Sequence, residues 1–94
     1  MHYLYISYSN SANKYYVGET HNIDERIQKH NIHIYKNSYT KISNDWVIAL
    51  TFDCNCKEDA IYLESFIKKM KSKKFIEKII LNPTILSDIL LKKG

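Results

Sequence analysis

Two aromatic, β-branched stretches stand only four residues apart at the start of the chain, and they constrain its fold more than any other feature. Residues 3–9 read Tyr-Leu-Tyr-Ile-Ser-Tyr-Ser, and residues 14–20 run from Lys14 to Thr20 through Tyr15, Tyr16, Val17 and Gly18. Both favour extended backbone, and Asn10, Ser11, Ala12 and Asn13 between them are turn formers. An antiparallel hairpin is the expectation. On its first strand Tyr3, Tyr5 and Ser7 share one face. On its second, Tyr16 and Gly18 share a face, and Tyr15, Val17 and Glu19 take the other.

Beyond the hairpin the hydrophobic period changes to that of a helix. Asn22 with Glu25 forms a capping box, and Asp24 and Glu25 suit the positive end of the helix dipole. Ile23 and Ile27 supply the apolar stripe of this helix, which fades near Asn31. Residues 33–45 read as a loop, and Trp46 to Phe52 as a third strand. Asn55 with Glu58 repeats the capping pattern before a second helix, whose buried stripe is Ala60, Leu63, Ile67 and Met70. A shorter helix from Lys73 to Leu81 turns Phe75, Ile76, Ile79 and Ile80 inward. Asn82 then caps a last helix with Pro83 at its first position and Ile85, Leu86, Ile89 and Leu90 on its apolar face. The order β-β-α-β-α-α-α implies an α+β fold, a three-stranded antiparallel sheet flanked by helices.

At 94 residues the expectation is one domain, 1–94. No apolar run is long enough to span a bilayer, and the N-terminus lacks the pattern of a signal peptide, so an intracellular place and no membrane partner are expected. Cys54 and Cys56 are too few for a disulfide framework and too close to close a zinc site by themselves.

Charge is unevenly spread. Between residues 66 and 80 lie Lys68, Lys69, Lys71, Lys73, Lys74 and Lys78 against Glu77 alone. Such a patch suits a polyanion and equally suits a solvated helix face. Of 14 basic residues only Arg26 is an arginine. A guanidinium holds two phosphate oxygens at once, which an ammonium does not. Arg26 and His30 are four apart on one helical face, at the edge of the Ile23–Ile27 stripe. Glu64 follows core residue Leu63, at the margin of its own stripe; it can pair with Lys68 one turn on or hold a hard divalent cation. Core packing accounts for most of the eight tyrosines. Gly18 is the sole glycine before the C-terminal Gly94, and a glycine inside a strand marks a close approach.

Taken in order, Tyr3-Leu4-Tyr5, Tyr16-Val17-Gly18, Arg26, His30 and Glu64 resemble the GIY-YIG nuclease domain over about residues 2–82. The likeness is to short stand-alone members and to the catalytic half of branched-DNA endonuclease subunits. It departs at Tyr3 and Leu4, where the family name has glycine and isoleucine, and at Val17. The resemblance implies a metal-dependent DNA endonuclease, with branched, nicked or damaged DNA as candidate substrates. Tyr5 would activate the attacking water or sit beside it, Tyr16 would position water or phosphate, and Arg26 would bind the scissile phosphate and stabilise its developing charge. His30 would hydrogen-bond into this cluster, and Glu64 would hold a single Mg²⁺ or Mn²⁺. Asn82 lies where members often carry an asparagine. Lys68, Lys69, Lys71, Lys73 and Lys74, with Lys36 and Lys41 from the loop, would bind DNA. Accessory DNA-reading domains have no counterpart in these residues, so recognition by DNA shape or by a protein partner is expected. A non-catalytic binding module of the same fold, and a subunit inactive without its partner, are the rival expectations.

Overall fold

The computed structural model describes residues 2–31 and 44–93. Strands β1 (His2–Ser9), β2 (Lys14–Thr20) and β3 (Trp46–Cys54) form one antiparallel sheet in the order β2-β1-β3. Four helices accompany it: α1 (Ile23–Asn31), α2 (Lys57–Met70), α3 (Lys73–Leu81) and α4 (Thr84–Leu91). The fold is α+β, with the element order that the periodicities predict. None of the described helices is long and apolar enough to cross a membrane.

The hairpin turns through Asn13, which adopts the left-handed conformation (φ 53°) that asparagine tolerates better than most residues. Asp45, just before β3, accepts hydrogen bonds from the Ser9 hydroxyl (2.5 Å), the Ser11 amide (2.9 Å) and the Ser11 hydroxyl (3.0 Å). One carboxylate thus ties the hairpin turn to the third strand.

A register shift in the β1–β3 pairing decides which side chains face which way. Ile6 pairs with Leu50 and Ser7 with Ile48, leaving Ala49 unmatched as a bulge. The extra residue reverses the alternation of β3. Leu50, Phe52 and Cys54 therefore join Leu4, Ile6 and Val17 in the core beneath α2, α3 and α4. Trp46 stands outside that cluster, on the face of its β1 partner Ser9. That second face also carries the buried Tyr5 and Ser7. Helix α1 packs against β1 and β3, and none of its residues belongs to the α2–α4 core. Asn31 at its C-terminus brackets Trp46, accepting from its amide (2.8 Å) and donating to its carbonyl (3.1 Å).

The element boundaries correct several expectations. Asn22 caps α1 as expected, accepting from the Glu25 amide at 3.0 Å. The reciprocal arm of the box is not used: the Asn22 amide donates to Thr20 Oγ1, and the Glu25 carboxylate pairs with Lys29 one turn on. β3 runs two residues beyond Phe52, to Cys54, so Cys56 rather than Asn55 is the N-cap of α2. Met70 is the last residue of α2 and stands 48% exposed, because the chain turns away at the left-handed Lys71 before the stripe reaches it. Asn82 ends α3, and its side chain accepts from the Thr84 hydroxyl rather than from a backbone amide. Pro83 is the N-cap of α4 rather than its first residue, with helical dihedrals (φ −62°) that its ring favours. Lys36 and Lys41 lie outside the described residues, as does the loop read over 33–45 apart from Asn44 and Asp45.

The C-terminus is tied back to α2 by Lys93, which pairs with Asp59 at 2.9 Å and lies over the Tyr62 ring. The hydrogen bond from Lys93 holds the Asp59 carboxyl below its ordinary value, and Asp59 raises Lys93 in return. Asp59 therefore binds its proton less readily folded than unfolded. Its contribution to stability is present at neutral pH and is lost as pH falls through the lowered value. Lys93→Ala is expected to return the Asp59 titration to the ordinary carboxylate range, read from its side-chain carbon shift in an NMR pH series; an unmoved midpoint would show that the pair does not form in solution.

Candidate active site

The hairpin register builds the first half of the site. Tyr5 lies opposite Gly18, and Ser7 opposite Tyr16. The Tyr5 ring crosses directly over Gly18: a Cβ at that position would meet the Tyr5 hydroxyl oxygen at 2.6 Å and its Cζ at 2.7 Å. The glycine is thus the groove in which Tyr5 lies. Tyr5 is 1% exposed, and its ring centroid is 6.2 Å from that of the half-buried Tyr16. The Ser7 hydroxyl donates to the Tyr16 carbonyl (3.4 Å), closing the pairing between them.

The second half comes from α2, which packs across β1 and β2. Lys68 reaches over the edge strand to place its ammonium 5.3 Å from the Tyr16 ring centroid, a cation–π arrangement. One turn earlier Glu64 accepts from the same ammonium at 3.2 Å. The Glu64 side chain keeps 22% of its surface exposed, so it is reachable from solvent. Tyr5, Tyr16, Lys68 and Glu64 thus form a continuous run from the sheet to the helix. The simple ion-pair reading of Glu64 is realised, and Lys68 links the carboxylate to the Tyr16 ring.

Arg26 sits half-buried in α1, whose strand contacts are to β1 and β3. His30 follows one turn later in the same helix; its side chain lies outside the described structure. Among the described residues no three of His, Cys, Asp and Glu gather closely enough to cage a metal. Glu64 offers one carboxylate. That donor set fits a hard cation such as Mg²⁺, which keeps most of its water and is commonly bound through one or two carboxylates together with substrate phosphate.

Of the lysines read as DNA-binding, Lys68, Lys71 and Lys73 line a cleft of about 750 Å³ between β2 and the α2–α3 turn. Lys69 and Lys74 are exposed and lie outside its lining. Lys14 lines it as well and was missed by the sequence reading, because a single lysine at a strand end carries no periodic signal. Asn82 stands at the α3–α4 junction, bonded to Thr84, and none of the contacts described for the tyrosines or Glu64 involves it.

Two tyrosines adjacent on a hairpin, a helix carboxylate linked to one of them through Lys68, and an arginine on a separate helix are thus set on an α+β fold. The family model of the GIY-YIG catalytic domain matches residues 1–78 of the 94. The chain belongs to the GIY-YIG family, a family of endonucleases. No curated protein and no solved structure matches it significantly.

Proposed function

We propose that the protein is a Mg²⁺- or Mn²⁺-dependent endonuclease that hydrolyses DNA phosphodiester bonds at the Tyr5–Tyr16–Glu64 site. The observation that carries this reading is the placement of Tyr5 in the Gly18 groove beside Tyr16, with the Glu64 carboxylate reached through a single lysine. Tyr5 orients the attacking water and passes its proton onward, with His30 as the acceptor. Tyr16 aligns water and phosphate. The water oxygen bonds to phosphorus, the bond to the leaving oxygen breaks, and that oxygen receives a proton. Arg26 grips two phosphate oxygens as charge builds on them, the arrangement in which fixed donors lower a barrier most. Glu64 would hold the cation, which when bound would supply Lewis-acid stabilisation to the phosphate and the leaving oxygen. With Glu64 engaged in this way, Lys68 would be left to meet a phosphate.

The test is purified protein incubated with Mg²⁺ or Mn²⁺ on supercoiled, flap and four-way-junction DNA. Cleavage of at least one substrate that stops with EDTA is expected. Retarded mobility of DNA with no metal-dependent cutting of any substrate would instead establish a binding module, and cutting that appears only after a partner protein is added would establish an obligate subunit.

A further inference from the structure

The cleft beside the site differs from it in chemistry. Its floor is apolar, made by Val17 of β2, Ile67 of α2 and Ile76 of α3. Tyr15 and Tyr16 line it too, and its rim carries the exposed Lys14, Lys68, Lys71 and Lys73, with no carboxylate among the described residues that line it. Two of those lysines already lie against the rings: Lys68 is 5.3 Å from the Tyr16 centroid and Lys73 is 6.0 Å from that of Tyr15. Lys73 is also steadied by Asn13, donating to its side-chain oxygen at 3.0 Å.

This combination narrows the ligand. A purely phosphate-binding surface needs the lysines and has no use for the apolar floor of a 750 Å³ cleft. A lipid or apolar small molecule would use the floor and gain nothing from four cations. Duplex DNA presents phosphates, but its bases are stacked inside and cannot enter. An unpaired nucleotide uses every part: its base enters against tyrosine and isoleucine, and its phosphates meet the rim. Aromatic platforms bordered by cations are the general means of holding single strands.

Position adds the functional consequence. Tyr16 and Lys68 belong both to the cleft and to the run that ends at Glu64. A strand with one nucleotide in the cleft would therefore bring a neighbouring phosphodiester towards Tyr16 and Lys68.

We propose that the β2–α2–α3 cleft binds an unpaired nucleotide of the DNA strand being cut, adjacent to the scissile phosphate, and so selects substrates with single-stranded or flipped-out bases. This deepens the nuclease reading and rests on it for the word scissile; the binding itself does not.

Binding is measured by fluorescence anisotropy in EDTA, where no cleavage intervenes, with a short single-stranded oligonucleotide, the same strand carrying one abasic position, and the matched duplex. The single strand is expected to bind roughly tenfold tighter than the duplex, as stacking of one base would give. A scan of the abasic position is expected to find one place where that advantage is lost. 2-Aminopurine at that place is expected to be quenched on binding. Lys71→Glu and Lys14→Glu, exposed changes outside the catalytic machinery, are expected to weaken the single strand and lower the salt dependence by about one counterion each. Equal affinity for strand and duplex, or indifference to every abasic position, would overturn the proposal. If these binding results hold while no DNA is cut with Mg²⁺ or Mn²⁺, the cleft stands as a single-strand site and the nuclease reading fails.

Discussion

Arg26→Ala is expected to lower single-turnover DNA cleavage by about 10²–10³-fold, the usual loss when one fixed donor to a developing oxyanion is removed. The fold should survive. Arg26 lies inside α1, alanine is the better helix former, and the Asn22 cap and the Asn31–Trp46 bonds that anchor the helix are untouched. Arg26→Lys separates charge from shape. Lysine keeps the positive charge and loses the two-pronged donor, so it should recover only a small part of the lost rate. Full activity in Arg26→Lys would mean that a point charge suffices, and full activity in Arg26→Ala would remove the arginine from the mechanism. Glu64→Gln provides the companion measurement. Its pair with Lys68 is an exposed i, i+4 contact worth well under about 1 kcal/mol, so the melting temperature should barely move. Its cleavage should fall and should not be restored by raising Mg²⁺, since an amide is a poor ligand for that ion.

The parts of this architecture legible from sequence are those that rest on local rules. The hairpin follows from turn residues between two aromatic strands, and α1 from Asn22 and its apolar spacing. Gly18 and Arg26 stand out as singletons in a chain that otherwise avoids glycine and prefers lysine. What stayed hidden depends on pairing between distant segments. From Trp46 to Cys54 every even position is apolar or a cysteine, and the strand reads as one continuous face. The bulge at Ala49 divides that face, sending Trp46 to one side of the sheet and Leu50, Phe52 and Cys54 to the other. Nothing in the nine-residue strand announces the break, because it is the register against β1 that creates it. Asp45 escaped notice for the same reason: its partners Ser9 and Ser11 are distant in sequence, 36 and 34 residues away. The cleft is a product of tertiary packing too. Lys14 is inconspicuous in sequence and joins Lys68, Lys71 and Lys73 around one cavity only when α2 and α3 close on β2.

Gly18→Ala carries the second large effect, and its sign is diagnostic. In an ordinary strand, alanine stabilises relative to glycine by restricting the unfolded chain, by about 0.4–1 kcal/mol. Here the new methyl would lie 2.6 Å from the Tyr5 hydroxyl oxygen, 2.7 Å from Cζ and 2.9 Å from Cε1. Tyr5, at 1% exposure, has no solvent into which to swing its ring. Either the ring or the strand pairing must shift, and overpacking of this kind costs about 1–3 kcal/mol. Chemical denaturation should therefore show destabilisation, accompanied by loss of cleavage as Tyr5 leaves its place beside Tyr16. Tyr5→Phe distinguishes the two consequences: the ring stays in the groove with no overpacking, yet the hydroxyl that orients water is gone and cleavage should fall. The coupling between the positions is read from a third protein. In a Tyr5→Leu background the Gly18→Ala change should be markedly less destabilising, because the ring atoms it collides with are absent. If Gly18→Ala instead stabilises the protein, or destabilises it equally in both backgrounds, the ring does not lie across the glycine, and the geometry from which the catalytic role of Tyr5 is argued falls with it.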